Sequence, residues 1–272
     1  MSVFSVAFIG AGNMAGSIIG GLLAAGFDAA SLAAADPDEG NLQRLEKQGL
    51  TRTGTDNAAI AGAADVVVLA VKPQILRAVC EDLAPVMREG QLAVSIAAGV
   101  GADSLREWLG DRPAIVRCMP NTPALLRAGA SALYAHGAVS DVQRLRAEQV
   151  MTAVGILRWV KEESLLHAVT AVSGSGPAYF FLFMEAMIAE GQRMGLDAES
   201  ARTLCAQTCI GAGRMLAEGD VAAAELRRRV CSPGGSTERA VAAFQGGGLE
   251  GIVRTAMRAC YARSEEMGKE LT

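Results

Sequence analysis

A short run of small residues near the N-terminus has the spacing of a dinucleotide-binding turn. Gly10-Ala11-Gly12-Asn13-Met14-Ala15 directly follows an apolar run and opens a stretch, Ala15 to Ala25, that is predicted to be a helix ended by Gly26. In a G-x-G-x-x-A pattern the first glycine makes a tight turn, the second lets the backbone approach a pyrophosphate, and the alanine allows close helix–strand packing. The helix N-terminus favours phosphate charge. The pattern therefore predicts a dinucleotide site.

Asp36 ends the second apolar run, where an acidic residue accepts hydrogen bonds from adenosine ribose hydroxyls. A ribose 2′-phosphate would be repelled there, and no arginine follows at once, the nearest being Arg44. This position favours NAD(H) over NADP(H). The alternative is a structural role, because Asp36-Pro37 is also a common way to begin a turn.

Further segments follow predicted strands and are expected to line the same cleft. Ala70-Val71-Lys72-Pro73 and Ala97-Ala98-Gly99 end the third and fourth strands, and parallel sheets bind ligands outside the carboxyl ends of their strands. Met119-Pro120-Asn121-Thr122-Pro123 offers an amide and a hydroxyl, although a proline-braced turn is the alternative explanation. The residues expected to contact the cofactor are Gly10, Gly12, Asn13, Met14, Asp36, Asn57, Ala70, Val71, Lys72, Pro73, Ala97, Ala98, Gly99 and Asn121.

A second donor-rich loop lies far along the chain. Val230-Cys231-Ser232-Pro233-Gly234-Gly235-Ser236-Thr237 combines paired glycines with hydroxyl side chains and runs into a predicted helix over Glu238–Gln245. Backbone N–H groups, hydroxyls and a helix N-terminus all favour an anion. We therefore expect this loop to bind a carboxylate.

These segments need a sheet that brings strand ends together, and the first ~160 residues have the pattern of one. Short apolar runs alternate there with longer amphipathic stretches, which is typical of helices on both faces of a mainly parallel sheet. The fold class is predicted to be α/β, with a Rossmann-type doubly wound sheet over 1–161 and an all-α domain over 162–272. The predicted strands are Ser5–Ile9, Leu32–Ala35, Val66–Ala70, Leu92–Ile96, Ile115–Met119, Gly129–Ala135 and Ile156–Val160.

The composition argues against several classes of partner. A formal net charge of −4 gives no reason to expect binding to nucleic acid or to an anionic membrane surface. No basic region precedes the first apolar run, and polar residues interrupt Leu165–Ala189, so we expect neither secretion nor a membrane span and predict a cytoplasmic protein. The 6 cysteines include no Cys-x-x-Cys pair, so we expect reduced thiols and no metal site.

Several blocks of residues occur in an order that points to one family. They are Phe8-Ile9-Gly10-Ala11-Gly12-Asn13-Met14, Ala70-Val71-Lys72-Pro73, Ser95-Ile96-Ala97-Ala98-Gly99, Arg117-Cys118-Met119-Pro120-Asn121-Thr122-Pro123, Ser173-Gly174-Ser175-Gly176-Pro177-Ala178-Tyr179 and Val230-x-Ser232-Pro233-Gly234-Gly235-x-Thr237. With these blocks the chain resembles pyrroline-5-carboxylate reductase over essentially its whole length. Ser236 stands where Thr or Ala is common in that family, a small change for a contact made through the backbone.

The resemblance implies a function and roles for the second loop. It implies NAD(P)H-dependent reduction of 1-pyrroline-5-carboxylate to L-proline, the last step of proline biosynthesis. It also implies a helical substrate-binding and dimerisation domain, in a homodimer that is often assembled into a decamer. Ser232, Gly234, Gly235 and Ser236 would hold the substrate carboxylate, and Thr237 would face the ring nitrogen as the catalytic residue. Many members prefer NADPH, so NADP(H) and NAD(H) both stay open.

Candidates for a strong general base are scarce. We expect His167, on an apolar helix, to be structural. Hydride reduction of a protonated imine needs no base. A β-hydroxyacid-type dehydrogenase shares the two-domain plan, but its catalytic lysine is expected on the first helix of the second domain, and Gly176 to Gly191 contains none. A dinucleotide-sensing regulator without turnover is the other alternative, against which the loop at 232–237 argues.

Overall fold

The structure, a computed structural model, describes residues 4–271. The strands in this range are β1 (Val6–Ile9), β2 (Leu32–Ala35), β3 (Thr53–Gly54), β4 (Val66–Leu69), β5 (Leu92–Ser95), β6 (Ala114–Met119), β7 (Gly129–His136) and β8 (Gly155–Trp159). The helices are α1 (Asn13–Ala24), α2 (Glu39–Lys47), α3 (Asn57–Gly62), α4 (Pro73–Leu83), α5 (Ala102–Trp108), α6 (Asp141–Thr152), α7 (Leu165–Val169), α8 (Gly176–Arg193), α9 (Ala198–Glu218), α10 (Ala223–Val230), α11 (Ser236–Gly246) and α12 (Leu249–Glu270). A π-helical turn, Thr170–Gly174, follows α7.

Across the described residues the strands form one sheet in the order β3-β2-β1-β4-β5-β6-β7-β8. Neighbouring strands are parallel except β6 and β7, so β7 and β8 run against the others. The strand order reverses between β1 and β4, which is the position where doubly wound sheets bind ligands. This topology confirms the predicted α/β fold class.

All of the predicted strands are present, and none of their ends differs from the prediction by more than one residue. The strand that sequence reasoning missed is β3, which pairs with β2 through Ala34 and Ala35 at one edge of the sheet. Two residues are too few to show any periodicity, so this strand depends on its neighbour and not on its own sequence.

The sheet is buried on both faces, because successive residues of a strand point to opposite sides. Val6 and Phe8 of β1 belong to one apolar cluster, which includes residues of α1, α2 and α6. Ala7 and Ile9 belong to the other cluster, which includes residues of α3, α4 and α5. Buried strands read as continuous apolar runs for this reason, which made them visible in the sequence.

The chain divides into two compact units. One comprises the described residues up to Pro177 together with those from Cys260 onward, and the other comprises Ala178–Ala259. The last strand ends at Trp159 and only helical segments follow. The predicted boundary between residues 161 and 162 stays a prediction, and the ends of its two ranges, residues 1–3 and 272, lie outside the described residues.

The helices of the second unit expose many large apolar side chains. Those on α8 are Phe180, Phe181, Leu182, Phe183 and Met187. The segment Leu165–Arg193 is long and apolar enough to cross a membrane by length and composition alone. Length and composition alone do not decide whether this segment spans a membrane, so the expectation that its polar residues exclude a span stays a prediction.

Candidate active site

The glycine-rich turn has the geometry that a dinucleotide requires. Gly10 has φ +95°, and a Cβ added there would lie 2.7 Å from the carbonyl oxygen of Ala70, so only glycine fits. At Gly12 a Cβ would meet no heavy atom within 4 Å. Gly12 is also the N-cap of α1 and makes no side-chain cap bond. Open space beside helix-terminal N–H groups fits a pyrophosphate.

Asp36 supports this turn through its own carboxylate. Its Oδ2 accepts a hydrogen bond from the Ala11 N–H at 2.6 Å, and its Oδ1 accepts one from the Asp38 N–H at 2.8 Å. The side chain is buried at the carboxyl end of β2. The turn-forming alternative for Asp36 thus has a concrete basis, and its contact with the ribose stays a prediction.

Arg44 was set aside by the sequence reasoning, yet α2 brings it back to the glycine-rich turn. Its Nη2 donates to the Ala11 carbonyl oxygen at 2.7 Å, and its Nη1 donates to Asn13 Oδ1 at 3.4 Å. The signal that could have found it is helical spacing. Arg44 lies in the second turn of α2, a helix that begins three residues beyond Asp36.

The remaining predicted cofactor residues share one edge of the sheet. Ala70–Pro73, Ala97–Gly99 and Asn121 follow β4, β5 and β6, which are parallel neighbours of β1. Asn57 begins α3, close after β3 at the same edge. The structure therefore brings these residues together with the turn at Gly10–Met14, although their contacts with a cofactor stay predictions.

Asn121 uses its amide to hold the backbone. Its Nδ2 donates to the Ser173 carbonyl oxygen at 2.9 Å, and its Oδ1 accepts from the Ala130 N–H at 2.9 Å. The side chain is buried. This fixes the turn after β6 to β7 and to the π-helical segment, which favours the structural explanation of the Met119–Pro123 block.

A partly buried ion pair that sequence reasoning missed braces the loop after β5. Arg117 Nη1 lies 2.7 Å from Glu163 Oε1, and the same oxygen accepts the Ala102 N–H at 2.7 Å at the start of α5. Gly99, with φ +84°, is covered by Met267 and Leu271. No local pattern could have paired residues so far apart in sequence.

His167 lies beside this ion pair and packs as a structural residue. Its Nδ1 is 2.8 Å from Ser264 Oγ, and its ring contacts Tyr261 edge to face. Burial lowers the pKa of His167, and the positive charge of Arg117 lowers it further. These contacts agree with the expectation of a packed histidine outside the site.

The loop after α10 forms a tight turn. The Gly235 N–H donates to the Ser232 carbonyl oxygen at 2.9 Å, and Gly234 has φ +72°. Gly235 is the N-cap of α11 and makes no side-chain cap bond, which leaves helix-terminal donors for an anion. Thr237, in the first turn of α11, is half-buried.

Glu238 is a further residue of this loop that sequence reasoning missed. Its Oε2 accepts a hydrogen bond from the Gly234 N–H at 2.7 Å. Its carboxylate thus occupies one of the donors that were assigned to the substrate carboxylate. A bound anion must displace Glu238 or use the other donors of the loop.

Two of the cysteines, Cys80 and Cys118, are buried and offer little nucleophilic character. Burial raises the pKa of Cys80 and of Cys118 to about 12, so both are neutral thiols at physiological pH. No group of three or more His, Cys, Asp or Glu side chains is placed to hold a metal ion among residues 4–271.

Comparison with known proteins decides the family. A curated pyrroline-5-carboxylate reductase from Pseudomonas aeruginosa is 51% identical over 271 residues, which cover 100% of this chain and 99% of that protein. The family described as "Pyrroline-5-carboxylate reductase dimerisation" matches residues 163–267. The chain belongs to the pyrroline-5-carboxylate reductase family. This confirms the resemblance. Because the dimerisation family matches the helical part of the chain, the protein is a homo-oligomer.

Solved structures of the pyrroline-5-carboxylate reductase family agree with the fold. One from Coxiella burnetii has a TM-score of 0.94 and 41% identity, covering 98% of this chain and 99% of that one. One from Plasmodium falciparum, with NADP bound, has a TM-score of 0.87 and 28% identity, covering 98% and 99% of the two chains. Residues 5–99 also match the family described as "NADP oxidoreductase coenzyme F420-dependent".

Proposed function

We propose that this chain catalyses the NAD(P)H-dependent reduction of 1-pyrroline-5-carboxylate to L-proline, the last step of proline biosynthesis. The observation that carries the proposal is the 51% identity to a curated pyrroline-5-carboxylate reductase over the entire chain. That similarity includes both the edge of the sheet after β1 and the loop before α11. A protein-wide match is stronger support than the fold, which hosts many unrelated functions.

The glycine-rich turn and the neighbouring strand ends are proposed to bind NADP(H) or NAD(H). Gly10, Gly12, Asn13 and Met14 would receive the pyrophosphate at the start of α1, where Gly12 leaves open space. Asp36 and Asn57 would lie on the adenosine side. The segments Ala70–Pro73 and Ala97–Gly99, with Asn121, would surround the nicotinamide. When bound, this cofactor supplies the hydride.

The loop Ser232–Ser236 is proposed to bind the substrate carboxylate, with the hydroxyls of Ser232 and Ser236 as donors and Gly234 and Gly235 shaping the turn. The Gly234 N–H would join them once Glu238 is displaced. Thr237 would donate a hydrogen bond to the ring nitrogen and so orient the imine carbon. Reduction of a protonated imine gives the amine directly and needs no strong base. The protein's task is therefore to hold the ring and exclude water.

We propose further that the helical part forms a homodimer and that dimers assemble into a decamer in the cytoplasm. The exposed apolar side chains of α8 support the dimer, since contiguous apolar surface of this kind marks an interface. Neither nucleic acid nor a membrane is expected as a partner, which stays a prediction.

The test is an assay that follows cofactor oxidation and product formation with each of the two cofactors. Purified protein should consume NADPH or NADH when 1-pyrroline-5-carboxylate is added, and L-proline should appear in equal amount. Cofactor binding without consumption would favour the dinucleotide-sensing regulator instead. Oxidation of a β-hydroxyacid with NAD(P)⁺, in the absence of imine reduction, would favour the β-hydroxyacid-type dehydrogenase.

A further inference from the structure

Two charged side chains hold the same residue of the glycine-rich turn, Ala11. Asp36 Oδ2 accepts the N–H of Ala11, and Arg44 Nη2 donates to the carbonyl oxygen of Ala11. The guanidinium and the carboxylate that ends β2 therefore bond to the two sides of one residue. That carboxylate marks the ribose position in dinucleotide-binding sheets, and a nearby arginine is the usual partner of a ribose 2′-phosphate.

The negative charge of Asp36 is already engaged. Each of its oxygens accepts a backbone N–H, from Ala11 at 2.6 Å and from Asp38 at 2.8 Å, and the side chain is buried. Such N–H donors stabilise the anion and offset part of its field. Repulsion of a phosphate at this position is therefore weaker than the bare sequence indicates.

Arg44 keeps N–H donors that its two hydrogen bonds in the turn do not use. A guanidinium has five N–H donors. Arg44 uses one in a short bond to the Ala11 carbonyl oxygen and one in a longer bond to Asn13 Oδ1 at 3.4 Å. The side chain is only half-buried, and it borders a groove of about 390 Å³ beside α1. Its charge does not titrate near neutral pH, and its planar fork matches phosphate oxygens.

We propose that Arg44 recognises the 2′-phosphate of NADPH and thereby sets the cofactor preference of this chain. The inference rests on the proposed function of the glycine-rich turn as the cofactor site. It adds a residue that favours NADPH, whereas the position of Asp36 alone favours NAD(H). One side chain on α2 thus distinguishes NADPH from NADH at the adenosine end of the cofactor.

The experiment measures binding and needs no turnover. Adenosine 2′,5′-bisphosphate and adenosine 5′-monophosphate are titrated calorimetrically against the full-length protein and its Arg44→Gln and Arg44→Met variants. Wild type should bind the bisphosphate at least about tenfold more tightly than the monophosphate, as expected for added charge-assisted hydrogen bonds. Both variants should lose roughly 10- to 100-fold in bisphosphate affinity and change less than about twofold for the monophosphate.

Arg52→Gln is the matched control. Arg52 is exposed, and its contact with the Ala30 carbonyl oxygen is long at 3.4 Å. It directly precedes β3, at the amino end of that strand, whereas the predicted cofactor residues follow the carboxyl ends of the strands. It should change neither affinity. Circular dichroism establishes which variants are folded, and equal wild-type affinity for the two probes would overturn the proposal even if neither Arg44 variant folds.

Two results would overturn the inference. One is equal wild-type affinity for the two probes, which leaves no 2′-phosphate recognition to explain. The other is an equal loss for both probes in folded Arg44 variants, which would make Arg44 a support of the turn. A wild type that binds the probes as expected but does not reduce the imine would sink the proposed function and leave this inference standing.

Discussion

Asp36 illustrates how one residue carries both a structural and a functional argument. Sequence reasoning placed it against the ribose, and the structure shows its carboxylate on the N–H groups of Ala11 and Asp38. The structural role is observed, whereas the contact with the ribose stays a prediction. If both roles are correct, a substitution at Asp36 changes stability and cofactor selectivity together.

Asp36→Ser should shift cofactor preference toward NADPH, because it removes a negative charge from the ribose side of the site. We expect the ratio of NADPH to NADH affinity to rise about fivefold, which corresponds to about 1 kcal/mol. The lost acceptor for two backbone N–H groups should lower the free energy of unfolding by about 1 kcal/mol. Titrations with both cofactors and urea denaturation measure the two effects.

Asp38→Ser serves as the control for this change. Asp38 caps α2 through the Gly40 N–H at 2.8 Å, and serine is also a good N-cap, so helix capping is retained. The affinity ratio should stay at the wild-type value. An unchanged ratio in the Asp36 variant itself would remove the argument that this carboxylate disfavours NADPH.

Thr237→Ala should lower turnover by about tenfold or more while cofactor affinity stays within about twofold, since its hydroxyl is assigned to the substrate alone. Steady-state kinetics and cofactor titration check the two parts separately. Thr51→Ala, an exposed threonine in the other unit, should change neither. A parallel loss of cofactor affinity would count against the assignment of Thr237 to the substrate.

At the scale of elements, two glycines of α1 allow the effect of helix propensity on stability to be measured apart from the effect of packing. A Cβ at Gly21 would lie 2.5 Å from the Ala153 carbonyl oxygen, whereas one at Gly20 would lie 3.6 Å from Gln48 Oε1, an ordinary contact. The two glycines are adjacent in the same helix. The helix must approach the turn before β8 closely on the Gly21 side only.

Gly20→Ala should stabilise the protein by about 0.5–1 kcal/mol, the helix preference of alanine over glycine. Gly21→Ala gains the same preference but must displace backbone, so a net loss of about 1–3 kcal/mol is expected. Thermal and urea denaturation of the pair measure the difference directly. If Gly20→Ala and Gly21→Ala changed the stability equally, α1 would not contact the turn at Ala153 as described.

The loop after β5 depends on Glu163. Glu163→Gln removes the ion pair with Arg117 and weakens the acceptor for the Ala102 N–H, and we expect a loss of about 2 kcal/mol, less than for a fully buried pair because Glu163 is partly exposed. Faster amide hydrogen exchange over residues 97–102 should accompany it. Glu162→Gln, the exposed neighbour, should leave both measurements unchanged, and identical behaviour of the two variants would contradict the brace.

These elements also show what the sequence could predict. Buried parallel strands are continuous apolar runs, and the glycine-rich turn has a fixed local spacing, so both were visible without a structure. The two-residue β3 was not, because its pairing with β2 decides it. The pair Arg117–Glu163 was missed for the same reason, since its residues are distant in sequence and become neighbours only through the fold. Arg44 was set aside although its helical spacing from Asp36 could have placed it at the turn.

At the scale of the whole molecule, the exposed apolar surface of the helices is the main unexplained feature of one isolated chain. Phe180, Phe181 and Leu182 lie next to each other on α8 and are each more than half exposed. The match to a dimerisation domain over residues 163–267 supports a second copy of the chain as the partner of this surface.

Leu182→Asp should shift the protein from an oligomer toward monomers, because Leu182 is 69% exposed in one chain and a charge cannot be buried in an apolar interface without a partner. Sedimentation velocity measures the change. Gln192→Asp, at an exposed polar position of the same helix, should keep the wild-type size. A Leu182→Asp variant of wild-type size would show that this surface is not the interface.

The most direct test of the account follows the hydride itself. Protein is incubated with 1-pyrroline-5-carboxylate and NADPH or NADH that carries deuterium at the transferable position of the nicotinamide, and the product is examined by mass spectrometry and NMR. The account predicts L-proline with one deuterium at C5, the former imine carbon, and an equal amount of oxidised cofactor. Unlabelled proline, or no proline although the cofactor binds, would contradict it.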